Sequence, residues 1–144
     1  MGKRLVKSPR VYVRDSGLVH ALLGIANLDA LLGHPVVGAS FEGMVIENVV
    51  AAAPSATCHY YRTSGGAEVD LLLAWPDGSL WAIEVKRSLA PKAERGFHAA
   101  CEDLAPARRF VDDPGQDRWP LASGVEVIGL TDLCREVEAE AAQT

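Results

Sequence analysis

Residues 68–86 carry two alternating apolar segments on either side of Pro76-Asp77-Gly78, and this pattern leaves little choice of local fold. In the first segment Val69, Leu71, Leu73 and Trp75 fall on one face, with Glu68 and Asp70 on the other. In the second, Trp81, Ile83 and Val85 share a face, with Glu84 and Lys86 opposite. A side-chain period of two between turn residues predicts a β-hairpin with one buried face. The two apolar faces must coincide, because a slip of one residue would turn a whole hydrophobic set outward. An odd-numbered loop is therefore required, either Pro76–Gly78 or a loop one residue longer at each end. Both pair Leu73 with Trp81 and Leu71 with Ile83. Both also set Asp70 opposite Glu84, and Glu68 opposite Lys86.

Directly opposed strand residues have Cβ atoms about 4.5–5.5 Å apart. Two opposed carboxylates repel unless positive charge lies between them. A hard divalent cation suits that position, since Mg²⁺ takes oxygen ligands and is often held by one or two carboxylates plus phosphates. The same residues also read as a solvated strand face on which Glu68 and Lys86 form an ion pair.

The chain has 144 residues, 49% of them apolar and 23% charged, enough for one domain with a real core. Its net charge of −5 argues against a general nucleic-acid-coating protein, because phosphate binding is driven by Lys and Arg. The charge is uneven. Lys3, Arg4, Lys7, Arg10 and Arg14 precede the first acid, Asp15, while Glu136, Glu138 and Glu140 lie near the other end. The basic arm reads as a phosphate contact, as a solvated tail or as an interdomain linker. Cys58, Cys101 and Cys134 fit neither a disulfide framework nor a zinc motif, which points to a reducing compartment. No apolar run approaches the roughly 18 residues of a membrane span, and the basic start is not followed by a hydrophobic signal region. A cytoplasmic location is expected.

Along the chain, Arg10–Arg14 reads as a short strand and Ser16 as the cap of a helix. Asn27 caps a second helix through Leu32, and Ser40 a third, with Phe41, Met44, Val45, Val49 and Ala52 at helical period. Glu42 falls beside that apolar stripe, where a carboxylate on a first turn also suits the helix dipole. Thr57–Arg62 reads as a strand. Pro91 opens a helix with Phe97, Ala100 and Leu104 on its inner face. Arg109–Val111 and Val125–Leu130 read as strands, Asp112–Pro120 as a loop, and Thr131 as the cap of a last helix. The core order is helix, three strands, helix, strand: an α/β sandwich around a mixed sheet. No Walker A sequence is present, since Gly33–Gly38 lacks the Lys-Ser/Thr. The scattered His20, His34, His59 and His98 lack ligand spacing. Tyr60 and Tyr61 point to opposite faces of their strand. Arg62 reads as a phosphate contact or as a partner of a local carboxylate. Arg108 and Arg109 read as a second phosphate contact or as solvated surface.

Glu42, Asp70 and Glu84-Val85-Lys86, in that core order, resemble the PD-(D/E)xK restriction-endonuclease-like superfamily. Val69 stands where the motif has Pro. The resemblance implies that Asp70 and Glu84 hold Mg²⁺ or Mn²⁺ with help from Glu42. It also implies that Lys86 orients water or stabilises charge. Glu68 is then a group holding Lys86 or an alternative ligand, Arg62 lies close by, and no cofactor is needed for folding. A second resemblance runs from Lys7 to Ser88. Lys7-Ser8-Pro9-Arg10-Val11-Tyr12, Asp15-Ser16-Gly17-Leu18, Gly38, Phe41-Glu42, Tyr60-Tyr61-Arg62 and Gly66-Ala67-Glu68-Val69-Asp70 carry it, together with the Glu84 motif. This pattern resembles the C-terminal domain, of unknown function, of prokaryotic predicted AAA-type ATPases. The resemblance implies an N-terminal ATPase module as partner, absent here, and nucleic acid as ligand.

The expectation is thus one nuclease-like domain over residues 1–144. Residues 1–37 form an N-terminal extension, 38–112 the core motif region and 113–144 a C-terminal strand and helix. Metal-dependent phosphodiester hydrolysis is the leading function, with Glu42, Asp70, Glu84 and Lys86 as catalytic residues. The alternative is an inactive module that binds nucleic acid or a partner.

Overall fold

From the N-terminus, the computed structural model runs α1 (Ser16–Leu22), α2 (Leu28–Leu32), α3 (Val37–Ala52), β1 (Thr57–Arg62), β2 (Glu68–Ala74) and β3 (Leu80–Val85). It continues with α4 (Arg95–Leu104), β4 (Arg108–Asp113), β5 (Trp119–Pro120), β6 (Glu126–Gly129) and α5 (Leu130–Ala141). It describes residues 4–5 and 8–143, so Lys3 and Lys7 of the basic arm lie outside the described residues. The strands form one six-stranded mixed sheet in the order β1-β2-β3-β4-β6-β5. β1, β2 and β3 are antiparallel, β3, β4 and β6 parallel, and β5 antiparallel to β6.

The hairpin has the register that parity requires, with Leu71 opposite Ile83 and Leu73 opposite Trp81. The Trp75 N–H donates to Ser79 O at 2.9 Å and the Gly78 N–H to Trp75 O at 2.9 Å, leaving the three-residue loop Pro76–Gly78. Gly78 sits at φ 87°, a conformation natural only to glycine in such a loop. Trp75 and Trp81 meet edge-on with centroids 5.3 Å apart, worth about 0.5–1.5 kcal/mol beyond burial.

Both faces of the hairpin are covered, not one. Leu71, Leu73, Trp81, Ile83, Phe110 and Ile128 pack under α3 and α5. Leu72, Ala82, Val111 and Val127 pack on the other side with Phe97 and Ala100 of α4. The β3–α4–β4 crossover that makes β3 and β4 parallel lays a helix on the face expected to be solvated. Val69 is a further correction: it joins the α4 side, not the side of Leu71. The cause is a bulge in β2. Pairing with β1 passes from His59↔Leu72 to Tyr61↔Val69, so Leu71 and Asp70 together face Tyr60. An extra residue in one strand reverses the alternation beyond it.

Several boundaries differ from expectation. Arg10–Arg14 belongs to no strand; it is an extended arm. Asp15, not Ser16, caps α1 by accepting the Leu18 N–H at 3.0 Å. α3 starts three residues before Phe41's neighbour Ser40, at Val37, and the Ser40 hydroxyl meets His20 Nε2 at 2.6 Å instead of capping. α4 begins at Arg95, because Glu94 is held by β3 through hydrogen bonds to Glu84 and Lys86. Asp112 and Asp113 extend β4 rather than open a loop, and Gly129 replaces Thr131 as the α5 cap. Among the described residues, no helix is long and apolar enough to cross a membrane.

Candidate active site

The start of β2, the end of β3 and the first turn of α4 meet α3 at one end of the sheet. There a cleft of about 300 Å³ is lined by Glu42, Glu68, Asp70, Glu84, Lys86 and Glu94. Glu42 comes from the second turn of α3, Glu68 and Asp70 from β2, and Glu84 from β3, with Lys86 one residue beyond its end. Two glycines form the wall between β2 and α4. A Cβ on Gly96, in the first turn of α4, would lie 2.6 Å from Gly66 O, so only glycine lets the helix approach this closely.

Asp70 sits on the bulge. Its Oδ2 accepts the Val85 N–H at 3.0 Å; the β2–β3 pairing ends at the Leu71–Ile83 rung, so the expected Asp70–Glu84 rung is replaced by this side-chain bond. Its Oδ1 accepts from Arg10 Nη1 at 3.1 Å. Glu84 leaves β3 toward α4, where it is buried. Its Oε1 lies 3.0 Å from Lys86 Nζ and its Oε2 accepts the Glu94 N–H at 3.2 Å. Burial pushes the Glu84 carboxyl up, more than Lys86 pulls it down, and the nearby Asp70 charge adds to the rise. Lys86 bonds Glu94 as well. Burial alone would lower its ammonium, but the bonds to Glu94 and Glu84 outweigh that and raise it.

The expected Glu68–Lys86 pair does not form. The bulge turns Glu68 away from β3, and it bonds Arg10, with Arg62 Nε 3.6 Å from its other oxygen. Arg62 thus touches the cluster only through Glu68 and does not line the cleft.

The residue that sequence reasoning placed elsewhere is Arg10. Its guanidinium enters the carboxylates from the N-terminal arm. Nη1 donates to Glu42 Oε1 at 2.8 Å and to Asp70 Oδ1 at 3.1 Å, and Nη2 bonds Glu68. The guanidinium carbon lies 5.3 Å from the Tyr60 ring centroid, a cation–π contact. Tyr12 OH donates to Glu42 Oε1 at 2.6 Å. Burial would lower the Arg10 guanidinium, but bonds to Tyr12 and Asp70 and the Glu42 charge more than reverse this. The Tyr12 phenol is pushed up to about 12 by burial and by its bond to Glu42. The signal was present in Pro9-Arg10-Val11-Tyr12, but nothing local distinguishes Arg10 from the other cations of the arm.

Among the described residues, no group of three or more His, Cys, Asp or Glu is gathered as metal ligands. Glu42, Glu68 and Asp70 converge instead on the Arg10 guanidinium. Their chemistry fits a hard cation, since anionic oxygens from separate elements already surround a positive group. Arg108 and Arg109, the other candidate phosphate contacts, are committed elsewhere, Arg108 to Glu136 at 2.7 Å and Arg109 to Ser123 O at 2.7 Å.

Beside the cleft, Asp112 is completely buried. Its backbone O accepts the Lys86 N–H at 2.9 Å. Neither carboxyl oxygen has a hydrogen-bond partner among the described residues. Burial, with the Asp113 charge behind it, pushes this carboxyl up to about 8.

Comparison with known proteins gives two similar curated relatives. Uncharacterized protein Rv2008c of Mycobacterium tuberculosis and Uncharacterized protein Mb2031c of Mycobacterium bovis are each 39% identical over 128 residues. The match covers 89% of this chain and 29% of each relative, so the chain spans less than a third of their length. No solved structure gives a significant match. Residues 37–133, which include α3, the hairpin and the cleft, match the model of a domain of unknown function. The chain therefore belongs to the DUF4143 family.

Proposed function

We propose that this chain is a metal-dependent nuclease-like module of PD-(D/E)xK type, with a restriction-endonuclease-like core, which hydrolyses a phosphodiester of nucleic acid. In a longer protein it would work beside an AAA-type ATPase module. One observation carries the reading: Glu42, Asp70, Glu84 and Lys86, distant in sequence, line a single cleft. The order helix, three strands, helix, strand around them agrees with it. So does the length of the curated relatives, which leaves room for another module.

Asp70 and Glu84 would hold Mg²⁺ or Mn²⁺, with Glu42 as a third oxygen donor. The bound ion supplies Lewis acidity and a water of lowered pKa. Lys86 is kept protonated by Glu84 and Glu94, and so presents a fixed positive charge to the developing negative charge of the reacting phosphate. Glu94 fixes that ammonium by a second contact. Gly66, with open space at its Cβ position, leaves one side of the cleft free for a substrate backbone.

A second reading has its own observation. Arg10 already neutralises Glu42, Glu68 and Asp70. A module whose acids are permanently satisfied in this way would bind nucleic acid or a partner without cleaving. Incubating the chain, alone and within its full-length protein, with Mn²⁺ or Mg²⁺ and single- and double-stranded DNA and RNA decides between them. Cleavage lost in Asp70→Asn and Glu84→Gln is the expected result. Binding without cleavage under every condition would leave the second reading.

A further inference from the structure

We propose that Arg10 is a tethered counter-ion that competes with the divalent cation for one position, so that the N-terminal arm must withdraw before the site loads. The inference rests on the metal reading above and adds a regulatory step to it. Three observations carry it. First, a single guanidinium bridges carboxylates of two elements: Glu42 from α3, and Asp70 and Glu68 from β2. Two of those acids belong to the ligand set, so the guanidinium stands where their oxygens converge. A metal ion and a guanidinium cannot both stand there, because like charges a few ångströms apart repel strongly in a half-buried site.

Second, the arm is held by the same groups the metal would claim. Residues 8–14 belong to no helix or strand, and Val11 and Val13 are exposed. The polar contacts of the segment run through Arg10 and Tyr12 to the carboxylates, through Tyr60 to Ser8 O, and through Arg14 to Glu47 at 3.6 Å, while the Tyr12 ring also packs against the core. Drawing Glu42 and Asp70 onto a metal therefore removes the ionic contacts that hold Arg10, and leaves the Tyr12 ring against the core and the Leu5–Thr63 bridge among the arm's remaining fastenings. Third, the platform is built for exchange. Tyr60 receives the guanidinium on its ring face while its hydroxyl bonds Ser8 O, so one side chain seats both the charge and the backbone of the arm.

The test is calorimetry of MnCl₂ and MgCl₂ binding to wild type, Arg10→Gln, Arg10→Lys and Tyr60→Leu, each shown to be folded by its thermal melt. Arg10→Gln should bind Mn²⁺ about 5- to 150-fold tighter than wild type, the usual span of a coupling between two ligands. Tyr60→Leu, which leaves every carboxylate in place, should shift the same way by less. Arg10→Lys should stay near wild type. In hydrogen exchange of the wild type, saturating Mn²⁺ should speed exchange of amides in residues 8–14. If wild type and Arg10→Gln bind equally well, or the arm's exchange does not change, the competition is overturned while the metal site stands. If neither protein binds at millimolar metal, the metal reading itself fails and takes the competition with it. Should Arg10→Gln not fold, the Tyr60→Leu titration and the exchange measurement decide.

Discussion

Two charged clusters in this molecule use the same residue types to opposite ends. Behind the sheet, Arg108 and Arg118 face Glu126 and Glu136, so each positive group meets an equal number of acids. Arg108 also lies over Trp81 and Phe110, 4.8 and 4.7 Å from the ring centroids. In and around the cleft, the lining acids Glu42, Glu68, Asp70, Glu84 and Glu94 outnumber the lining cation Lys86 together with Arg10 and Arg62, which reach the acids from outside it. The first cluster is spent on itself and ties β4, β6 and α5 together. The second keeps unspent negative charge beside a fixed ammonium. The two clusters have the same residue types and differ in their local balance of charge.

The widest separation between the clusters should be kinetic. Lys86→Ala should cut phosphodiester cleavage by about 10²–10³, the usual loss when one electrostatic contact to the transition state is removed. Arg118→Ala should leave the rate of cleavage unchanged. Single-turnover rates on one substrate compare them, and an equal fall in both would erase the distinction drawn here.

The clusters should also part in their response to pH. Glu136 is held below the usual carboxylate range by Arg108 and Arg118. Its contribution is present above the unfolded value, about 4.3, and is lost as pH falls through the lower folded value. Asp112, raised to about 8, acts in the other sense. Its contribution is complete below the unfolded value, about 3.9, and is lost as pH rises toward 8. The unfolding free energy from urea titrations should therefore fall between pH 4 and 8 by an amount on the order of a few kcal/mol, and the midpoint with it. Asp112→Asn should flatten that slope, and Glu136→Gln should flatten only the acid limb. A wild-type midpoint constant from pH 4 to 8 would contradict the buried, unpartnered Asp112.

Packing sharpens the contrast next. Gly96→Ala forces a Cβ against Gly66 O, 2.6 Å away, and should cost roughly 1–3 kcal/mol in denaturant unfolding while displacing Glu94 from Lys86. Gly38→Ala, with nothing within 4 Å of the new Cβ, should be harmless or slightly stabilising. The smallest effect is expected at the fastening cluster itself. Arg118→Ala should cost about 0.2–1 kcal/mol for each exposed pair it breaks, and less at high salt.

What could be read from the sequence follows a physical division. The hairpin, its loop parity and the pairs Leu71–Ile83 and Leu73–Trp81 follow from alternation across residues 68–86, a local signal. β1 matches its expected span, Thr57–Arg62, for the same reason. The bulge at Asp70 was not legible, because no Gly or Pro marks it and it exists only in relation to β1. Arg10 was not legible either. Its partners lie 32, 58 and 60 residues away, and within its own segment it is one basic residue among several. The covered second face of the hairpin escaped because Leu72 and Ala82 are compatible with either surroundings, until α4 is laid over them.

The bulge in β2 turns the candidate site into a matter of counting. Between Gly66 and Trp75, every residue up to Asp70 owes its direction to one surplus position in the strand. Point substitutions there change chemistry and leave direction alone. A deletion of one residue at the bulge would keep every other side chain, yet it would restore a flush ladder with β1 and exchange the two faces for everything upstream. Val69 would leave the Phe97 side and Glu68 would enter it. In this segment the number of residues sets which way each side chain points, so a deletion should move the whole site where a replacement alters one group.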